Sequence, residues 1–289
     1  MIALKFKIIK STSFAIKPMK QVAPLRYDVI FKKAFSHPTI FTALVKDFLG
    51  IQLEIDEVKY NKGFVPSVNS LVSEFDLFVE DKKNQLIVEM KHAYCSRSDY
   101  ERFVYYQCSS MVEAVINSNS DYDFPMTIIT IVFFTWKKTP SPDSSIIVHD
   151  FESRDLATGQ LLDKIYQRKH QLIFVFTNDS THENTPSTYR EWMQAIDDSL
   201  DGEVDEEKYT NPLIQELFGV IEKDKITPEE RACMKDQYSQ EEACIKAFND
   251  GMKQGQSKKT ARNLKANSKL TEKEIARATG LSLEMVKAL

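Results

Sequence analysis

Glycine is scarce in this sequence, with 8 residues in 289. There is no G-x-x-x-x-G-K-[ST] loop and no G-x-G-x-x-G turn, the devices that bring a backbone close to nucleotide phosphates at a helix start. Nucleotide-cofactor chemistry is disfavoured on that ground. Cysteine is sparse as well. Cys95, Cys108, Cys233 and Cys244 form no C-x-x-C pair, and no histidine cluster completes a zinc site. They read as reduced thiols of a cytosolic protein, with Cys95 an inert buried one. No apolar run is long enough to span a bilayer, so no membrane partner is expected. A strong excess of one charge is also missing. The formal net charge is −4, so any nucleic-acid contact has to come from local patches. Lys5, Lys7 and Lys10 interrupt the apolar part of "MIALKFKIIKSTSFAIKPMK", and no small-residue cleavage site follows. Residues 1–20 read as a disordered arm, or as an upstream start with Met19 the true initiator. A cytoplasmic location is expected.

What is present is enough apolar sequence for a sizeable core: 42% of the residues are hydrophobic and 11% aromatic. In "YDVIFKKAFSHPTIFTALVKDFLG", Ile30, Phe31, Ala34 and Phe35 recur at helical spacing. Pro38 opens a second helical stretch and Gly50 ends it. Two extended runs follow, "LVSEFDLFVE" and "QLIVEMK", joined by "DKKN". Ser98 with Glu101 three residues on is a capping-box signature. The predicted helix runs to about Ile116, with Tyr100, Phe103, Val104, Met111 and Val115 on one stripe. "MTIITIVFF" is a β-branched run suited to a strand buried on both faces, and "QLIFVF" is a further strand. This order predicts a mixed α/β core over residues 21–188. Residues 189–250 read as an acidic helical subdomain with a solvated surface. From 251 to 289 the sign flips, with Lys253, Lys258, Lys259, Arg262, Lys265 and Lys269 ahead of a patterned ending.

The chemistry concentrates in the two extended runs. Side chains alternate along a strand, so Glu89 and Lys91 share a face. A hairpin closed by an even loop, "KK" or "DKKN", places Asp76 directly across from Glu89. Their Cβ atoms would then be roughly 5 Å apart. Two unit charges at that spacing repel by about 3 kcal/mol at an effective dielectric near 20. A divalent cation between them reverses the sign, and oxygen-only ligands suit Mg²⁺, Mn²⁺ or Ca²⁺. Lys91 on the same face could orient an attacking water or neutralise a phosphoryl group. The bland alternative is a pair of solvated strand-end acids with a surface Glu–Lys pair. His92 points to the other strand face and is given no role.

Asp76, a short turn, then Glu89-Met90-Lys91, with a helix before and after, resembles the PD-(D/E)XK nuclease superfamily. The chain is similar in particular to the PD-(D/E)XK nuclease family transposases, the Rpn family of recombination-promoting nucleases. "YDVIFKKAF" resembles that family's opening D-x-x-F-K-x-x-F helix. "SEFDLFVEDKKNQLIVEMKH" resembles its hairpin, "RFVYYQCSSM" its aromatic helix and "IARATGLSLEMVKAL" its ending. The resemblance runs from about Gln21 to the end of the sequence. It implies a restriction-endonuclease-like mixed sheet flanked by helices, with a C-terminal helical extension. It implies DNA as the partner, with Asp76 and Glu89 as ligands of a divalent metal and Lys91 as catalytic base or charge stabiliser. Two departures stand out. No proline precedes Asp76, and Lys91 stands where many relatives carry Gln.

Asp28, opening the first helix, is a candidate third acid or an N-cap. Gln107 either faces the site or is a satisfied core amide. Arg97, Arg102, Tyr105 and Tyr106 could meet phosphates or stack on bases, although Arg102 and Tyr106 are also spaced as a helix surface pair. In the tail, Thr271, Ile275, Ala276, Gly280, Ser282 and Val286 match a helix-turn-helix spacing. A lone pair of helices lacks the third needed for a core, so this unit reads as an accessory DNA-contact or docking element. Lys258, Lys259, Arg262 and Ser282 are its candidate DNA contacts. The sequence thus predicts a metal-dependent DNA endonuclease tied to recombination or transposition. The rivals are a catalytically inactive DNA-binding or protein-interaction module on the same fold, and a nuclease acting on RNA. A double-strand cut would call for a homodimer, since one site cuts one strand per turnover.

Overall fold

The computed structural model describes residues 19–64, 73–92, 97–118, 124–136, 144–162, 169–179, 183 and 185–289. In chain order the described elements are β1 (Lys20–Gln21), α1 (Asp28–Phe35), α2 (Pro38–Leu49), β2 (Lys59–Phe64), β3 (Ser73–Glu80), β4 (Asn84–Lys91), α3 (Arg97–Ser118) and β5 (Thr127–Phe134). They continue with β6 (Ile146–Asp150), β7 (Gln171–Phe176), α4 (Ser187–Asp198), β8 (Glu203–Val204), α5 (Pro212–Val220), α6 (Pro228–Asn267), α7 (Glu272–Thr279) and α8 (Leu283–Lys287). The chain divides into two units between Ile226 and Thr227.

The first unit is a mixed α/β structure around a six-stranded sheet of order β2-β3-β4-β5-β7-β6. The three strands β4, β5 and β7 run parallel, and the outer pairs are antiparallel. The all-apolar sequence of β5 puts it at the centre, where every residue from Ile128 to Phe134 is buried. Neighbours Phe133 and Phe134 point to opposite faces and show what covers each. Phe133 meets Phe48 of α2 edge-on at 5.6 Å, and Phe134 meets Phe103 of α3 at 5.8 Å. Pro38 stands at the N-terminus of α2, where its missing N–H costs nothing, and Gly50 closes the helix in the left-handed region, φ 67°.

Two strands not predicted from sequence, β2 ("KYNKGF") and β6 ("IIVHD"), are the sheet's two edges. Edges tolerate polar and glycine-containing sequence because only one side is paired and part of the surface is wet. The α3 stripe also differs from expectation. Phe103, Gln107, Ser110 and Ala114 are buried, whereas Val104 is 45% exposed. Residues 103, 107, 110 and 114 follow one helical line. Its two polar members are tolerated because each is bonded internally. Ser98 lies within α3, not at the capping position before it.

The division falls at Ile226, whereas the sequence suggests a boundary at 188. α4 carries Trp192, Met193, Ala195 and Ile196 into the core, and the Trp192 indole N–H donates to Asp47 Oδ2 of α2 at 2.6 Å. The surface acids around it do not prevent burial of this apolar stripe. Of the expected arm, residues 1–18 lie outside the described residues. Lys20 and Gln21 pair with Val204 and Glu203 of β8.

The second unit begins with α6, opened by a capping box in which the Thr227 hydroxyl accepts from the Glu230 N–H. The tail's two short helices are not a lone pair. Ala261 of α6, Ile275 of α7 and Val286 of α8 form a buried cluster, with Leu264, Ala276, Leu281 and Leu289 around it. The last turns of α6 therefore supply the third helix that a bihelical unit alone would lack.

Candidate active site

The β3–β4 register is the one an even loop dictates: Leu77 pairs with Val88, Phe78 with Ile87 and Val79 with Leu86. Asp81 closes the turn by accepting from the Lys83 and Asn84 N–H groups, both at 2.7 Å. One step past Leu77 and Val88, the two carboxylates replace the backbone ladder. The Asp76 N–H donates to Glu89 Oε1 at 3.0 Å, and the Met90 N–H donates to Asp76 Oδ2 at 3.0 Å. Meanwhile β4 stays paired with β5 as far as Lys91 and Phe134. A cleft of about 270 Å³ lies at this point. Asp76, Glu89 and Met90 line it from the sheet, Asp28 and Lys32 from α1, and Arg102 and Tyr106 from α3.

The electrostatics follow from this burial. Asp76 is pushed up to about 6, first by burial and also by the charge of Asp28, against the lowering effects of the Met90 N–H and Lys32. Glu89 is pushed well above the ordinary carboxylate range, first by burial and then by Asp76; the Asp76 N–H, Arg102 and Lys32 oppose the shift. Asp76 therefore opposes ionisation of Glu89, and Asp28 that of Asp76; a bound cation would remove the conflict. One oxygen of each carboxylate takes no part in the two backbone bonds described above. The donor set is oxygen only, which suits a hard divalent ion. Among the described residues, no three His, Cys, Asp or Glu side chains are arranged as a ready-made metal group. Asp28 approaches Asp76, but Lys32 holds it through both oxygens, at 2.7 and 2.8 Å.

Of the expected site residues, Asp76, Glu89, Asp28, Arg102 and Tyr106 are brought together. Tyr106 is wedged edge-on against Phe75 at 5.3 Å. Lys91 is not among the residues lining the cleft. Its ammonium pairs with Asp99 Oδ1 at 3.1 Å, because α3 presents that acid on the same side of the sheet. Gln107 is also apart: it donates to the Ile128 carbonyl at 3.1 Å and accepts from Thr130 Oγ1 at 2.6 Å, a satisfied core amide. Ser282 caps α8 by accepting from the Met285 N–H at 3.2 Å, so its position has a structural cause. Lys259 and Arg262 are exposed on α6 and Lys258 is half-buried. Lys265 is taken by Glu272 at 3.3 Å and by two carbonyls at the end of α8. Cys95 and the side chain of Arg97 lie outside the described residues. Cys108, Cys233 and Cys244 are free and exposed.

Two residues of the site are not anticipated by the sequence reading. Lys32 lines the cleft with its Nζ 3.7 Å from Asp76 Oδ1, and Asn61 of β2 accepts a hydrogen bond from it. Two signals were available for the first: its place as the lysine of the D-x-x-F-K-x-x-F run and its i, i+4 spacing from Asp28. Asn61 belongs to an edge strand and carries no such signal. No protein-family model and no curated protein matches the chain.

Proposed function

We propose that this chain is a divalent-metal-dependent endonuclease that hydrolyses DNA phosphodiester bonds, of the PD-(D/E)XK kind, serving recombination or mobile-element transposition. The observation that carries this reading is the pair of half-buried Asp76 and buried Glu89, lining one cleft and each bonded to the other strand's backbone. A structural protein gains nothing from two facing acids withdrawn from solvent to this degree, whereas a cation site needs them. Asp76 and Glu89, with Asp28 as third ligand, would hold Mg²⁺, Mn²⁺ or Ca²⁺, and the bound ion would lower the pKa of a water and polarise the phosphoryl group. The backbone bonds fix both carboxylates before substrate arrives. Arg102 and Tyr106 at the rim offer a charge and a ring to the nucleic-acid strand. In the reaction, water oxygen bonds to phosphorus while one P–O ester bond breaks. The water's proton goes to solvent and the leaving oxygen takes one up, giving a phosphomonoester and an alcohol.

The engagement of Lys91 with Asp99 favours the second reading, an inactive nuclease-fold module that binds DNA or protein. Nicking of supercoiled plasmid with Mn²⁺ separates the two. The native protein should nick, and Asp76→Ala and Glu89→Ala should each lose about 100-fold or more. Equal nicking by native protein and both variants would remove this cleft from the chemistry. Matched RNA and DNA substrates decide which polymer is cut.

A further inference from the structure

We propose that Lys32, not Lys91, is the ammonium that serves the reacting centre, and that Asn61 holds it there; this rests on the nuclease reading above. The Lys32 ammonium is 3.7 Å from Asp76 Oδ1, and its side chain is only 15% exposed. It lines the same cleft as Glu89. Lys91, two residues along from Glu89 on the same strand face, is instead drawn off the cleft by Asp99. The D…E-x-K spacing therefore brings the two acids to the site but leaves its lysine elsewhere.

Asn61 points the same way independently. Its φ of 52° makes it the only non-glycine residue in the left-handed region among the described residues. Asparagine tolerates that region better than most residues, but it is a costly conformation inside a strand. What it achieves is visible: the side-chain carbonyl of this edge residue reaches Lys32. Asp28, on the preceding turn of the same helix, also accepts from the ammonium. Lys32 is thus fixed by an amide, a carboxylate and the more distant Asp76, none of which is needed to stabilise an ordinary surface lysine.

An ammonium beside a ligand carboxylate can donate to a non-bridging phosphoryl oxygen and offset the charge that gathers on it as the new bond forms. It does this without giving up its proton. In the absence of substrate the same group acts as counter-ion to Asp28 and Asp76 and competes with any incoming cation.

The test uses the full chain. With Mn²⁺ and supercoiled plasmid, Lys32→Met should lower the rate at saturating DNA by about 100-fold with KM nearly unchanged, while Lys91→Met should lose less than about 10-fold. Lys32→Arg, which keeps the charge, should recover part of the rate. Calorimetric titration with Mn²⁺ and no DNA gives a readout apart from activity. Lys32→Met should bind the ion roughly 10-fold more tightly, because the competing ammonium is gone. A greater loss for Lys91→Met than for Lys32→Met, or Mn²⁺ affinity unchanged by Lys32→Met, would overturn the assignment while leaving the nuclease reading intact. A native protein that nicks no faster than Asp76→Ala would defeat the nuclease reading itself.

Discussion

Asp76 and Glu89 owe their juxtaposition to rules that act over a few residues. Strand parity and an even turn suffice to place them opposite each other, and both are local properties of the sequence. The fate of Lys91 depends on Asp99, which a helix brings back from outside the hairpin, so alternation along the strand could not reveal it. His92 is a similar case. Strand parity gives it no role, yet its Nδ1 lies 2.7 Å from Thr135 Oγ1 and its ring meets Trp136 edge-on at 5.5 Å. Burial first, and then the charge of Arg26, push its pKa down from 6.5 to about 4. Between those values the unfolded chain binds a proton that the folded one resists. The stability that comes from a neutral His92 is therefore complete above pH 6.5 and lost as the pH falls through 4. His92→Gln removes this dependence. The difference in unfolding free energy between native and variant, followed by urea titration, should shrink by roughly 3 kcal/mol from pH 7 to pH 4. A difference constant across that window would exclude His92 as the responsible group.

At the scale of elements, the helices and strands with strong periodicity were legible: α1, α2, β3, β4, β5 and β7 all fall where their apolar spacing and turn residues put them. The two edge strands were not, since half-solvated sequence carries no clear period of two. The tail shows the reverse difficulty. Its two helices were legible from the helix-turn-helix spacing of Thr271, Ile275, Ala276, Gly280, Ser282 and Val286. Their third partner was hidden inside a 40-residue helix whose composition is mostly polar. Only Ala261, Ile275 and Val286 are buried in that cluster, so a single truncation should matter. Ile275→Ala should cost about 3 kcal/mol and expose residues 268–289 to trypsin, while cleavage elsewhere stays as in the native chain. Trypsin resistance that survives the substitution would mean that this cluster does not hold the ending together. Gly280 sits at φ 69° after α7, and Gly280→Ala should weaken the same ending by about 1 kcal/mol, read as a lower melting temperature.

Across the whole molecule, charge is where the average misleads most. The net of −4 conceals a final stretch, residues 251–289, with nine basic and three acidic residues. The remainder of the chain is correspondingly acidic and would repel a polyanion at long range. If DNA is the partner, an electrostatic share of its affinity must therefore come from that stretch. Lys265 is already committed to Glu272 and to the end of α8. Lys258, Lys259 and Arg262, close together on α6, are better placed to meet phosphates. Replacing all three by Gln should weaken DNA binding by a similar factor for every sequence tried, since phosphate interactions carry no base information. The plot of log affinity against log salt should also become shallower, by about 0.9 for each phosphate no longer neutralised. Fluorescence anisotropy with a labelled duplex, repeated across a range of KCl concentrations, measures both effects. An unchanged slope would mean that these three side chains neutralise no phosphate, and would leave the Arg102 and Tyr106 rim of the cleft as the path for the DNA.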